Sequence, residues 1–397
     1  MDIYEESVEL HEKKKGKLEV KSKVSLKDKK DLSLAYTPGV AGVSKKIGEN
    51  KKLVWKYTIK QNSVAIVTDG SAILGLGNLG PEAALPVMEG KAILFKELAD
   101  VDAYPICLKT RNIDEIVNIV KRIKPGFGGI NLEDISAPRC FEVEDRLQEI
   151  GIPVFHDDQH GTAIVLLAAL INALKVVNKR PEDVKVVING AGAAGNSISH
   201  LLLCIGYDKK ICLSVKEIIL CDSQGIIFEG RRGMDKYKEA ISKYTNKEKL
   251  MGSLEVAMKG ADVFIGVSKG NLVTKEMVKS MNKDAIVLAM ANPIPEIMPE
   301  DAKAAGAVVV GTGRSDFPNQ INNVLGFPGI FRGALDANAF VINKEMKVAA
   351  AYALASIVKN PTKDKILPSP LDKNVVKVVA SAVKDAALVT GVSNLEN

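Results

Sequence analysis

A chain of 397 residues is long enough for two domains with separate cores, and 46% hydrophobic and 26% charged residues are the proportions of an ordinary globular protein. The net charge of +6 is concentrated in Lys13-Lys14-Lys15-Gly16-Lys17 and on to Lys30, diluted by Glu5, Glu9, Glu12, Glu19, Asp28 and Asp31. No aromatic residues are interleaved there for base stacking, so this reads as solvated surface and argues against nucleic acid. The five cysteines (Cys107, Cys140, Cys204, Cys212 and Cys221) lack C-x-x-C spacing and read as reduced packing residues of a cytoplasmic protein. The amino terminus has no apolar signal core, and the longest apolar stretch, Thr162 to Leu174, is too short to span a bilayer.

In chain order, Tyr36 precedes the turn at Pro38-Gly39, where its ring could be packed or could project a phenol. Gly75-Leu76-Gly77-Asn78-Leu79-Gly80 fits G-x-G-x-x-G but opens no βαβ unit, which suggests a tight loop near a substrate. Lys91 falls in an apolar helix pattern, Leu85 to Leu98, where burying a lysine is costly; composition does not choose a role for it or for Tyr36. After a helix over Ile113 to Ile123 come two short apolar runs that read as buried strands. Gly129 to Leu132 stops at Glu133-Asp134, and Ile152 to His156 stops at Asp157-Asp158.

Ligands of open α/β sheets sit outside the carboxyl ends of strands, so four carboxylates converge where charge repulsion calls for a cation. Oxygen donors without cysteine favour Mg²⁺ or Mn²⁺. The plainer alternative is that these acids cap the helices that follow, as Asp158 could alone. Arg139 is a candidate partner for one of them. His156 and His160 imitate the i, i+4 pair of zinc proteases, but the required glutamate is missing.

A long apolar helix pattern then runs from Gly161 to Val177 and stops at Lys179-Arg180-Pro181. This places a domain boundary near residue 160, giving domains 1–160 and 161–397. Beyond it come a strand (Val184 to Asn189), a helix (Ala194 to Ile205), a strand (Glu217 to Cys221), and strands at Asp262 to Val267, Ala285 to Ala289 and Ala307 to Gly311. The expected class is α/β: an α/β amino-terminal domain plus a doubly wound, parallel, Rossmann-like sheet. The last 60 or so residues read as helices packing back on the first domain.

Gly190-Ala191-Gly192-Ala193-Ala194-Gly195 follows the strand ending at Asn189 and opens the next helix, the context a dinucleotide site needs. Its glycines let the backbone approach the pyrophosphate at the helix amino terminus. Asp222 ends the next strand, placed for a ribose hydroxyl. It would repel a 2′-phosphate and so favours NAD over NADP, an effect that Arg231 and Arg232 could offset.

Taken together, Leu34-Ala35-Tyr36-Thr37-Pro38-Gly39-Val40, Thr68-Asp69-Gly70-Ser71-Ala72, Pro86-Val87-Met88-Glu89-Gly90-Lys91, Asn131-Leu132-Glu133-Asp134-Ile135 and Phe155-His156-Asp157-Asp158-Gln159-His160-Gly161 resemble the malic enzymes. The likeness continues through the second glycine loop, Ala291-Asn292-Pro293-Ile294-Pro295-Glu296 and Gly313-Arg314-Ser315 to Asn323-Val324-Leu325-Gly326, and the length resembles the small prokaryotic type. The resemblance implies oxidative decarboxylation of L-malate to pyruvate, with NAD or NADP and Mg²⁺ or Mn²⁺. By motif, Glu133, Asp134 and Asp158 become metal ligands with Asp157 behind them, Lys91 the general base and Tyr36 the general acid. Asn292 and Asn323, with Asn322 beside them, contact substrate, and Asn292 also adjoins the cofactor. Ala72 stands where larger members carry an arginine, leaving Ser71 as a candidate for the second carboxylate. A homodimer is implied, with Tyr36 entering the partner's site. The rival reading is a malolactic or oxaloacetate-decarboxylating lyase using the same residues.

Overall fold

Short β-branched runs become strands of two parallel sheets, each covered by helices on both faces. The computed structural model describes residues 2–73 and 76–395, so Gly75 of the first glycine pattern lies outside the described residues. The chain opens with α1 (Ile3–Lys14), α2 (Lys29–Ala35), α3 (Val40–Glu49) and the single turn α4 (Val54–Tyr57), none of which contributes a buried residue.

The first sheet follows. Strand β1 (Ser63–Thr68) leads to α5 (Pro81–Ala99), β2 (Asp102–Cys107), α6 (Ile113–Ile123), β3 (Gly129–Leu132), α7 (Arg139–Asp145) and β4 (Val154–His156). The strand order β2-β1-β3-β4 is wholly parallel. Along β1 the pleat sends Val64 and Ile66 into one core, and Ala65 and Val67 into the core on the opposite face. The order reverses between β1 and β3, so their carboxyl ends flank a crevice of the kind that binds ligands in such sheets.

Helix α8 (Asp157–Val177) carries the chain to the second sheet, β5 (Lys185–Asn189), α9 (Ala193–Leu202), β6 (Glu217–Asp222) and β7 (Gly225–Ile226). After α10 (Lys236–Ser242) and α11 (Leu254–Met258) come β8 (Val263–Gly266), α12 (Lys275–Lys279), β9 (Ile286–Ala289), α13 (Pro299–Ala304) and β10 (Val309–Thr312). The order is β10-β9-β8-β5-β6-β7, parallel except for β7, with its switch point between β5 and β8. This is the expected α/β class with a Rossmann-like sheet. Helix α8 begins four residues before the apolar pattern does, at Asp157, so Asp157 and Asp158 form its first turn as well as the end of β4. Among the described residues no side chain caps α8, whose N-cap is His156, but carboxylates in a first turn are stabilised by the helix amino terminus.

Three helices close the chain: α14 (Phe327–Asp336), α15 (Lys344–Ser356) and α16 (Lys373–Val389). Phe327 and Phe331 pack edge-on against Phe95 of α5, with ring centres 4.8 and 5.3 Å apart, so α14 returns to the first sheet. One apolar core joins Val64 and Ile66 of the first sheet, Ala163 to Leu174 of α8, Val186 and Ile188 of the second sheet, and Val379 and Val383 of α16. Helix α8 is also long and apolar enough to cross a membrane, but 72% of that stretch is buried within the protein, which makes it a core helix.

One expectation fails. Cys204 and Cys212 are disulfide-bonded, not reduced packing residues, because the chain turns back after α9 and brings their Cα atoms to 5.8 Å. Cys107, Cys140 and Cys221 are free.

Candidate active site

The crevice between β1 and β3 collects the acids. Glu133 follows β3 directly, and its N–H donates to Val67 O, which extends the pairing with β1 by one residue. Asp134 comes next in a left-handed conformation, φ 53°, where Asp is tolerated better than most residues. Its N–H donates to Asp158 Oδ2 at 2.9 Å, joining the two acid-tipped strands. One carboxylate oxygen each from Glu133, Asp134 and Asp158 can be chosen so that all lie within 4.8 Å of one another. An octahedral Mg²⁺ with bonds of about 2.1 Å spans at most about 4.2 Å, so small side-chain rotations close the set. The donor chemistry, oxygen only and crowded, fits a hard dication.

Asp157 points elsewhere. Its Oδ2 accepts from Lys91 Nζ at 2.5 Å and from Asn323 Nδ2 at 2.5 Å. Lys91 Nζ also lies 3.0 Å from Glu133 Oε1 and 4.1 Å from the centre of the Phe327 ring. Burial pulls the Lys91 ammonium toward neutrality, but Asp157 and Glu133 outweigh it and raise its pKa. The acids outnumber this one cation. Burial, with repulsion from Asp158 on Glu133 and from Glu133 on Asp157, pushes both up to about 7, and burial beside Asp157 takes Asp158 to about 6. In the protein alone Lys91 is thus charged. Depression needs Glu133 to be engaged by another cation.

Sequence reasoning missed several supports. Asn131 donates to Glu133 Oε2 at 2.8 Å, and its i, i+2 position on one face of the strand end was a legible signal. A Cβ at Gly161 would sit 1.8 Å from Asp157 Oδ1, so only glycine fits there. Arg139 pairs with Asp69 Oδ2 at 2.7 Å. Ser71 is buried in that group, donating to Asp69 Oδ1 at 2.5 Å and accepting from Arg139 and from Ser136 N, each at 2.9 Å.

The predicted substrate asparagines separate. Asn323 reaches Asp157, whereas Asn322 Oδ1 accepts from Val324 N and its side chain lines a different cavity beside Leu94 and Leu98. Asn292 is exposed after β9, close against Gly313. Tyr36 is 68% exposed, and its phenol makes no hydrogen bond among the described residues.

A cavity of about 310 Å³ is lined by Gly190, Ala191, Gly192, Asp222, Val267 and Ser268, with Ala137 and Pro138, three and four residues after Asp134, and Phe141 from the first sheet's side. Ala193 and Ala194 open α9 behind Gly192. Gly195 packs so that a Cβ would meet Gly190 O at 1.7 Å, and a Cβ on Gly190 would meet Val267 O at 2.6 Å. Asp222 is clamped by Arg231, at 2.9 and 2.5 Å, and by Lys238 at 2.9 Å. Burial opposes its charge, but these bonds hold its carboxyl well below the usual range. Its repulsion of a phosphate is correspondingly offset.

Fold and site together define a class: a two-sheet α/β oxidoreductase in which a Rossmann-type cavity adjoins an oxygen-ligand cluster and a buried lysine. The chain belongs to the malic enzyme family, matching the models of the malic enzyme N-terminal domain over residues 15–148 and of the malic enzyme NAD binding domain over residues 159–388. It is 58% identical to a bifunctional malic/malolactic enzyme of Bacillus subtilis, over 100% of this chain and 95% of that one. It is 55% identical to an NAD-dependent malic enzyme of Geobacillus stearothermophilus, over 96% and 79% of the two chains. Among solved structures, an NAD-dependent malic enzyme from Thermotoga maritima superposes with a TM-score of 0.91 at 48% identity, covering 97% of this chain and 99% of that one.

Proposed function

We propose that this chain oxidatively decarboxylates L-malate to pyruvate and CO₂ with reduction of NAD(P)⁺, using Mg²⁺ or Mn²⁺. The observation that carries the reading is Lys91 Nζ, buried 3.0 Å from Glu133 in the acid crevice, with the dinucleotide cavity alongside. When bound, the dication supplies Lewis-acid polarisation of the malate C2 oxygen, and the nicotinamide supplies the hydride acceptor.

The chain's own residues do the rest. Glu133, Asp134 and Asp158 would hold the cation. Lys91 would accept the C2 hydroxyl proton at Nζ only after a cation engaging Glu133 has weakened its hold on its own proton, which Asp157, 2.5 Å away, is placed to take. Asn323 holds Asp157 in place for that transfer. Phe327 covers Lys91 and excludes water. Arg139, held by Asp69 and Ser71, provides guanidinium donors for malate's second carboxylate where Ala72 replaces an arginine.

Tyr36 returns a proton to C3 of the enol, and it does so in the site of a second copy of the chain. The support is its exposure, together with the unpartnered Ile3, Val8, Leu10, Leu32, Leu34, Val40 and Val43 of α1 to α3. Apolar surface of that extent marks an interface. Asp222 tilts cofactor choice toward NAD⁺, moderated by Arg231 and Lys238.

Steady-state kinetics with malate, comparing NAD⁺ with NADP⁺ under Mg²⁺ and Mn²⁺, test the reading through the absorbance of reduced cofactor. Activity that survives chelation of divalent metal would sink it. A malolactic reaction at the same site is the second reading, favoured by the name of the Bacillus subtilis relative. Lactate formed without accumulation of reduced cofactor would select it.

A further inference from the structure

Two connections meet at the Glu144 carboxylate of α7, and a third continues from His160. Glu144 Oε1 accepts the N–H of His156 at 3.3 Å, and its Oε2 lies 2.9 Å from His160 Nε2. His160 Nδ1 lies 3.2 Å from Ser197 Oγ. His156 and His160 bracket Asp157 and Asp158 at the start of α8, while Ser197 sits one turn into α9, the helix opened by the glycine loop. An ionised carboxylate only accepts hydrogen bonds, so His160 Nε2 carries the proton and donates it. Nδ1 is then an acceptor, and the Ser197 hydroxyl donates to it. The connection therefore has one sense throughout, from Ser197 through His160 to Glu144.

Helices α8 and α9 also pack against each other through the shared core. The apolar side of α9, with Ile198, Leu201 and Leu202, is locked in the core. Around His160, however, α7, α8, α9 and α15 leave a cavity of about 510 Å³ lined by Glu144, Gln159, His160, Ser197 and Lys347. Lys347 is buried there with its charge toward Glu144, which keeps the carboxylate ionised. At this end of the helices, hydrogen bonds add to the packing in setting where the amino-terminal turn of α9 lies relative to the acids.

We propose that Glu144, His160 and Ser197 form a positioning relay joining the cation-binding acids to the dinucleotide-binding helix, so that each ligand binds more tightly in the presence of the other. The inference rests on the metal and cofactor sites assigned above. Such coupling is reciprocal by linkage and typically amounts to between about 5- and 150-fold.

The test is Mn²⁺ titration followed by its paramagnetic resonance, with the full-length protein alone and with saturating NAD⁺ and no malate. The wild type should bind Mn²⁺ at least about fivefold more tightly with NAD⁺. In Ser197→Ala that ratio should fall to within about twofold of one, and Ser197→Thr, which restores the hydroxyl, should recover it. Glu144→Gln should lower the ratio as well. A wild-type ratio of one, or an undiminished ratio in a folded Ser197→Ala protein, overturns the relay. Absence of Mn²⁺ binding to the wild type would overturn the metal site, and the relay with it.

Discussion

Lys91 sits where two demands conflict. Burial disfavours its charge, and the two carboxylates at 2.5 and 3.0 Å demand it. Lys91→Ala should lower kcat by on the order of 10³-fold, the scale of lost acid–base catalysis. Mn²⁺ affinity, measured by calorimetric titration, should survive because no ligand is removed. Retained malate oxidation would take the base role from Lys91. The sequence marked this residue only as an awkward lysine in an apolar helix. The resemblance made it the base with Asp157 behind the ligands, and the structure brings that carboxylate, sixty-six residues away, to Lys91 as its counter-charge. Arg139, near four acids in sequence, is drawn to Asp69, which lies across the loop.

Glu144 adds a prediction about pH. Burial works to raise its pKa, but His160 and Lys347 hold it at about 2, below its ordinary 4.5. A depressed carboxylate stabilises the fold fully above its unfolded pKa, and that contribution is lost as pH falls through the folded value. Urea unfolding between pH 5 and pH 2 should therefore show falling stability, and the fall should be shallower in Glu144→Gln. Equal slopes would mean that Glu144 is not held in this way.

At the scale of elements, local pattern made the strands and the Rossmann loop legible. Val184 to Asn189 and the glycines after it were read within one residue of β5, because a short β-branched run and a glycine loop each have a local cause. The start of α8 was misplaced because Asp157 to His160 are polar, and apolar periodicity is silent there; tertiary contacts extend the helix. The glycine loop itself is a packing device. Gly195→Ala would drive a methyl into Gly190 O at 1.7 Å, so the loop must open. NAD⁺ affinity by fluorescence titration should fall at least about tenfold, or about 1.4 kcal/mol. An unchanged affinity would show that the loop yields freely.

For the whole molecule, the amino-terminal helices matter most. They carry Tyr36 and a band of exposed apolar side chains, yet contribute nothing to either core. If two copies share sites, mixing inactive Tyr36→Phe with inactive Lys91→Ala should restore activity. Random exchange makes half the dimers hybrids with one intact site each, or about a quarter of the wild-type rate. No recovery after verified subunit exchange would place Tyr36 in its own chain's site. Sequence alone could not separate these arrangements, since exposure is invisible in a motif.

Helix α8 begins among the acids of one sheet and ends about 31 Å later at the threshold of the other. Because its buried face belongs to the single core that both sheets and α16 share, neither half can melt and leave the other its lining. Heating the protein should accordingly give one calorimetric peak, with van't Hoff and calorimetric enthalpies in agreement. Two resolved peaks would mean that the halves part at Asn178, where the helix stops.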